Sequence, residues 1–239
     1  MNNYGPKIIT NGLWMMWDAA SEKSFPRNGS SVLDMSKNNR NGILAGGISF
    51  ATENNGEFVF DGINGRINTT FGMFEGVDSS SPFTISFFIN PNEDQSETTN
   101  NPVWLGQAYY AGFGLRRGNN GTWSIWFRNK NSTYTDSLPI IDGIFQHIVL
   151  IWGGQQNPKI ISYINGVLNS ERNVSYGDFG ITLTGREFRV GVPSTTGVST
   201  GTGYFKGIIP LIHIYNRELT SGEILQNYNA LKGRFELWV

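Results

Sequence analysis

The residues of this chain best placed to do chemistry are its carboxylates and its two histidines. Retaining glycoside hydrolysis needs two carboxylates about 5 Å apart, which on one strand means alternate positions on a shared face. The sequence contains no Glu-x-Asp-x-Glu or Glu-x-Asp-x-x-Glu run. Glu93 and Asp94 are adjacent, so they point apart, and Glu218 and Glu223 flank an expected helix start. There is no serine nucleophile elbow, no phosphate-binding loop and no His-Glu-x-x-His zinc motif. His147 could be a ligand or base, but no second histidine lies nearby in sequence and His213 sits in another buried strand, so a hydrogen-bonded structural histidine is expected at 147. No catalytic residue is assigned, and the chain reads as non-enzymatic.

Binding chemistry has two candidate locations. The most polar loop, Asp34-Met-Ser-Lys-Asn-Asn-Arg-Asn-Gly42, offers side-chain oxygens at Asp34, Asn38 and Asn41, which could hold calcium. It fails as an EF-hand, because the sixth position is Asn39 and the twelfth Ala45. The alternative is a turn in which Asp and Asn bond their own backbone. Calcium is the one cofactor considered. The second location is aromatic. Phe88 and Trp126 fall on the sides of their strands opposite the inward rows and are expected to be wet or partly covered, with Arg128 beside Trp126 and Tyr109-Tyr110 in a loop. Such a surface could stack on a sugar ring or pack against another protein; otherwise the chain itself covers both rings.

These residues are carried by strands. Phe83-Thr-Ile-Ser-Phe-Phe-Ile-Asn90 alternates strictly, with Phe83, Ile85, Phe87 and Ile89 inward. Trp123, Ile125 and Phe127 face one way in the next clear strand, and Asn165-Gly166 is the strongest hairpin signal. Phe87, Trp123, Phe127, Val149, Ile151 and Ile212 are expected core residues. About a dozen short strands at regular spacing predict an all-β fold, a two-sheet antiparallel jelly-roll sandwich. One helix closes it. Thr220 and Glu223 form a capping box, Leu219 and Ile224 a hydrophobic staple, and Ile224, Leu225, Tyr228 and Leu231 one apolar face. Leu225 and Tyr228 are expected to dock that helix, and Gly233 to end it in a left-handed conformation. Residues 1–11 read as an N-terminal arm and 12–239 as a single domain.

Charged residues are only 15% of the chain and the net charge is −1, so there is no basic footprint for nucleic acid. The absence of cysteine excludes disulfides and thiolate chemistry. No signal peptide and no stretch of about 20 apolar residues for a membrane span is visible.

Several blocks carry a family resemblance. Ile214-Tyr-Asn-Arg-Glu-Leu-Thr220, Glu223-Ile224 and Gln226-Asn-Tyr-Asn-Ala230 resemble the closing strand and helix of LamG-like jelly-roll domains, of the concanavalin A-like lectin/glucanase fold. Gly12-Leu13 with Asp18-Ala-Ala20 resembles their opening strand, and Phe60-Asp-Gly62 with Asn64 a conserved-order block whose second acid is Gly65 here. The ending through Phe235 is similar to versions in structural proteins of tailed bacteriophages, cyanophages among them. The resemblance implies a virion component (a head decoration, fibre or tail part) made in the host cytoplasm. Its implied partners are other virion proteins, in a homo-oligomer, and host-surface glycans. A carbohydrate-binding lectin-like module is the alternative, and a glycoside hydrolase the last.

Overall fold

Asn165 and Gly166 turn the chain back on itself with φ of 51° and 79°, and the strands Lys159–Ile164 and Val167–Asn173 pair across that turn. Two successive left-handed residues give the backbone twist that a tight hairpin requires. The computed structural model describes residues 6–71, 80–92, 105–106, 112–117, 121–128, 133–175, 188–191 and 204–237.

Among these residues the fold is antiparallel β with one α-helix, Ser221–Leu231. The largest sheet is nine-stranded and centres on Phe83–Pro91, which pairs with Gln146–Trp152 on one side and with Leu211–Tyr215 on the other. Leu211–Tyr215 in turn pairs with Leu13–Asp18, so the first and last strands of the fold lie side by side. A three-stranded sheet (Gly112–Arg117, Trp123–Arg128, Thr133–Leu138) and a five-stranded sheet that includes Gly42–Ala45 and Arg66–Asn68 provide the facing layer. Side chains from both layers share one apolar core. Ile85, Phe87, Ile148, Leu150, Trp152 and Ile212 come from the large sheet, and Ile67, Leu115, Trp123, Ile125, Phe127 and Val190 from the others. Phe127 stacks on Trp152 across the gap at 4.9 Å, and Trp17 meets Phe188 at 6.0 Å. The alternation of the sequence therefore becomes a jelly-roll-like sandwich.

The large sheet is also covered on its outer face. Val149, Ile151, Ile161, Tyr163 and Tyr215 lie beneath Leu219 and Ile224, and Phe88 and Leu211 lie beneath Tyr228 and Phe235. The expected core residues are all buried, but Val149 and Ile151 belong to this second layer. Thr220 caps the helix as expected, its hydroxyl accepting the Glu223 N–H while the Glu223 carboxylate accepts the Thr220 N–H.

Three expectations need correction. Leu225 is 46% exposed; the helix docks through Ile224, Asn227 and Tyr228, which recur at three- and four-residue spacing on one face, while Leu225 stands about 100° round from Ile224. Gly233 does not end the helix, which tightens into a 3-10 turn over Lys232–Phe235, and the left-handed residue is Glu236 at φ 55°. Phe88 and Trp126 are not wet. Phe88 is 0% exposed and Trp126 5%. Phe88 is sealed by the chain's own C-terminal turn, its ring stacked on Phe235 at 4.5 Å and on His147 at 4.7 Å. No helix among the described residues is long and apolar enough to cross a membrane.

Candidate functional site

The Asp34 loop is brought together as the sequence suggests, but by donors. Asp34 Oδ1 accepts the N–H groups of Met16 and Ser36, at 2.9 and 2.8 Å, and Oδ2 accepts the Ser36 hydroxyl and the Arg40 N–H. Asn41 Oδ1 accepts the Asp34 N–H. Asn38 points its amide nitrogen inward, donating to the Leu13 and Trp14 carbonyls and to Ser36 Oγ. Oxygens already holding N–H and O–H groups are not presented to a cation, so as folded this set does not fit calcium. It is a turn that ties the loop to the first strand.

The block at Asp61 works the same way. Asp61 Oδ1 accepts the N–H groups of Ile63, Asn64 and Gly65. Partial burial pushes the Asp61 carboxyl up, but those three amides together hold it below the usual aspartate value. A side chain at position 65 would bring its Cβ to 3.0 Å from Asp61 Oδ1 and 3.1 Å from the Gly47 carbonyl oxygen, which explains the glycine there.

The histidines are buried. His147 Nε2 meets Ser86 Oγ at 2.8 Å, and its Nδ1 has no partner. Neither ring nitrogen of His213 has one. Burial drives both below the ordinary histidine value, His147 to about 3 with the charge of His213 adding to the effect, and His213 to about 4. The hydrogen bond expected of His147 is therefore found, on Ser86.

Tyr109 and Tyr110 lie outside the described residues, as does the Arg128 side chain. Trp126 stands opposite Thr135 and Gly114 in register. Its burial removes it as an open stacking platform.

A polar group that the sequence reading passed over lies where two sheet edges meet. Thr133–Leu138 is an edge strand of the small sheet and Val167–Asn173 an edge strand of the large one. Arg172 Nη1 donates to Asp136 Oδ1 at 3.0 Å, and the Ser170 hydroxyl donates to Asp136 Oδ2 at 2.9 Å. Arg172 is 48% exposed, and its guanidinium carbon lies 5.7 Å from the Tyr134 ring centre. Asn169 Nδ2 donates to the Ser137 carbonyl and to Ser162 Oγ. Thr135 and Ser137 are exposed on the other side of the same strand. The group thus combines one carboxylate, one guanidinium, an amide, hydroxyls and one aromatic face. It can accept and donate hydrogen bonds at close spacing, and it lacks a second carboxylate for acid–base work. Glu171, next along the strand, is turned the other way onto Lys159 at 3.3 Å. The sequence signal was there: Thr-Tyr-Thr-Asp-Ser-Leu alternates, with Tyr134 and Asp136 on one side and three hydroxyl residues on the other.

Comparison with known proteins agrees with this architecture. The receptor-binding domain of botulinum neurotoxin C/D mosaic serotype superposes with a TM-score of 0.68 at 14% identity, covering 92% of this chain and 51% of that one. The binding domain of botulinum neurotoxin DC in complex with SialylT gives 0.67 at 14% identity, covering 93% and 52%. This chain thus spans about half the length of those toxin domains. Domain 4 of AbnA, a GH43 extracellular arabinanase from Geobacillus stearothermophilus, in complex with arabinotriose, gives 0.66 at 19% identity, covering 90% of this chain and 98% of that one. No curated protein sequence matches the chain. The family model of the concanavalin A-like lectin/glucanases superfamily matches residues 61–225, well over half of the sequence. With its order of strands, its shared core and its closing helix accounted for, the chain belongs to that family.

Proposed function

We propose that the chain is a non-catalytic carbohydrate-recognition module whose contact surface is the rim formed by Tyr134, Asp136, Asn169, Ser170 and Arg172. The observation that carries this reading is the half-exposed Arg172 guanidinium held in place by the Asp136 carboxylate where two sheet edges meet. A half-exposed guanidinium donates to sugar hydroxyls, Asp136 and the Thr135 carbonyl fix its position, and the half-buried Tyr134 ring lies beside it. The arabinotriose complex of the arabinanase domain and the SialylT complex of the toxin domain support it as ligands carried by similar folds. Hydrolysis by the two-carboxylate route has no second acid in this group. The test is a glycan array followed by titration of the strongest binder. Wild-type binding with at least a tenfold loss in Asp136→Ala and Arg172→Ala, and no release of reducing ends, is expected. Unchanged affinity in both variants overturns the assignment.

A second reading concerns the setting. The closing segment from Ile214 to Phe235 is similar to endings in tailed-phage structural proteins. We infer a module displayed on a virion, with other particle proteins or further copies of the chain as partners. Mass spectrometry of purified particles checks it: a chain present only in the lysate and never in particles overturns it.

A further inference from the structure

The outer face of the large sheet carries an unusual layer. His213 stands directly opposite Ser86 in register, and Ser86 Oγ reaches His147 on the strand at its other side. Two imidazoles thus flank one serine beneath the C-terminal segment. The His147 ring is stacked between Phe88 at 4.7 Å and Tyr228 of the helix at 5.9 Å, and Phe235 closes over Phe88. The segment is held by apolar contacts, by Arg217 on Glu223, and by Arg234, which donates to the Asp18 carboxylate and to the carbonyls of Asn54 and Gly56.

We propose that the segment 221–237 is an acid-labile latch: protons taken up by His147 and His213 release it from the sheet while the sandwich beneath stays closed. The charged and titratable groups around the pair, among the described residues, offer an imidazolium little compensation. From the first strand comes Asp18, already paired with Arg234. The C-terminal turn contributes the cations Lys232 and Arg234, and the helix contributes the phenol of Tyr228. The closing strand adds Tyr215, and Glu57 sits against Arg234. A buried cation without a free anion is costly, and undocking the segment returns both rings to water. The inner core does not touch either ring, because it lies on the other face of the same strands. Release is therefore local in origin. The low proton affinity of the two buried rings is consistent with this, since protonation then favours the state in which they are hydrated.

Hydrogen exchange of the full chain, corrected for the intrinsic pH dependence of exchange, tests it at pH 7 and about pH 4.5. At the lower pH, amides of 221–237 are expected to lose at least tenfold in protection while those of Phe83–Pro91 and Gln146–Trp152 retain theirs. His147→Gln/His213→Gln is expected to keep its segment docked at both values. Should that double variant fail to fold, His213→Leu alone is expected to move the release midpoint to lower pH. Simultaneous loss of protection in the segment and the strands, a segment still protected at about pH 4, or a variant midpoint equal to the wild type overturns the latch.

Discussion

Arg217 closes on Glu223 through two hydrogen bonds, Nη2 to Oε1 at 2.6 Å and Nη1 to Oε2 at 2.8 Å, and the same carboxylate completes the capping box of the helix. Arg217 also donates to the Asn11 carbonyl, so one guanidinium links the arm, the closing strand and the helix start. The Arg217 bonds are the largest cause holding the Glu223 carboxyl down to about 2; partial burial opposes them, and the Thr220 N–H adds to them. A lowered carboxyl stabilises fully above its unfolded value and loses that stabilisation as pH falls through its folded one. A double-mutant cycle of Arg217→Ala and Glu223→Gln in urea is expected to give a coupling of about 1 kcal/mol, constant from pH 8 to about pH 5. A coupling near zero at pH 7 would mean that the pair is solvated and idle.

His213 gives a prediction of the same sign in pH but of different origin, a buried neutral ring instead of a paired carboxylate. Its folded affinity for protons is depressed to about 4, so the unfolded chain binds the proton better and stability falls with pH below the ordinary histidine value. At about pH 5 this costs roughly 2 kcal/mol. His213→Leu is expected to recover most of that at pH 5 and to change stability by less than about 1 kcal/mol at pH 8. Urea midpoints at the two pH values decide it.

The Asp34 turn separates a polar knot from a metal site. Asp34→Ala strips acceptors from the N–H groups of Met16, Ser36 and Arg40 and is expected to cost about 2–3 kcal/mol. A chelator is expected to leave the melting temperature of the wild type unchanged, since ligand loss would lower it by linkage. A fall on chelation reversed by calcium would restore the metal reading.

Phe88 is the sharpest test of the covered face. Phe88→Ala removes a ring stacked on both Phe235 and His147 and is expected to cost about 3–5 kcal/mol, in the range of core truncations. A loss below about 1 kcal/mol would place the ring at a wet surface after all.

What could be read from residues alone follows from how local each signal is. The alternation in Phe83–Ile89, the Asn165-Gly166 turn and the Thr220/Glu223 cap are fixed within a few residues, and each appears where the spacing puts it. Period two tells which side of a strand a residue faces, but not whether another layer lies over that side. Phe88 was therefore assigned the correct face and the wrong environment, because Tyr228 and Phe235 arrive from far along the chain. The rim at Asp136 was missed for a similar reason. Its partners Ser170 and Arg172 lie 34 and 36 positions away and meet it only when two sheets close against each other. The Asp34 loop shows a third limit: composition reveals oxygens, but not that N–H groups from the first strand already occupy them.

The rim has a consequence for how the molecule behaves in a crowd. Along the edge strand Thr133–Leu138, the carbonyl of Thr135 accepts from Arg172 and that of Ser137 from Asn169. Backbone acceptors at the margin of a sheet are what a foreign strand needs to add itself in register. Here side chains from the neighbouring sheet plug two of them, at Thr135 and Ser137. Removing Asn169 and Arg172 together would uncover two nearby backbone acceptors on that edge, the position at which an added strand would pair.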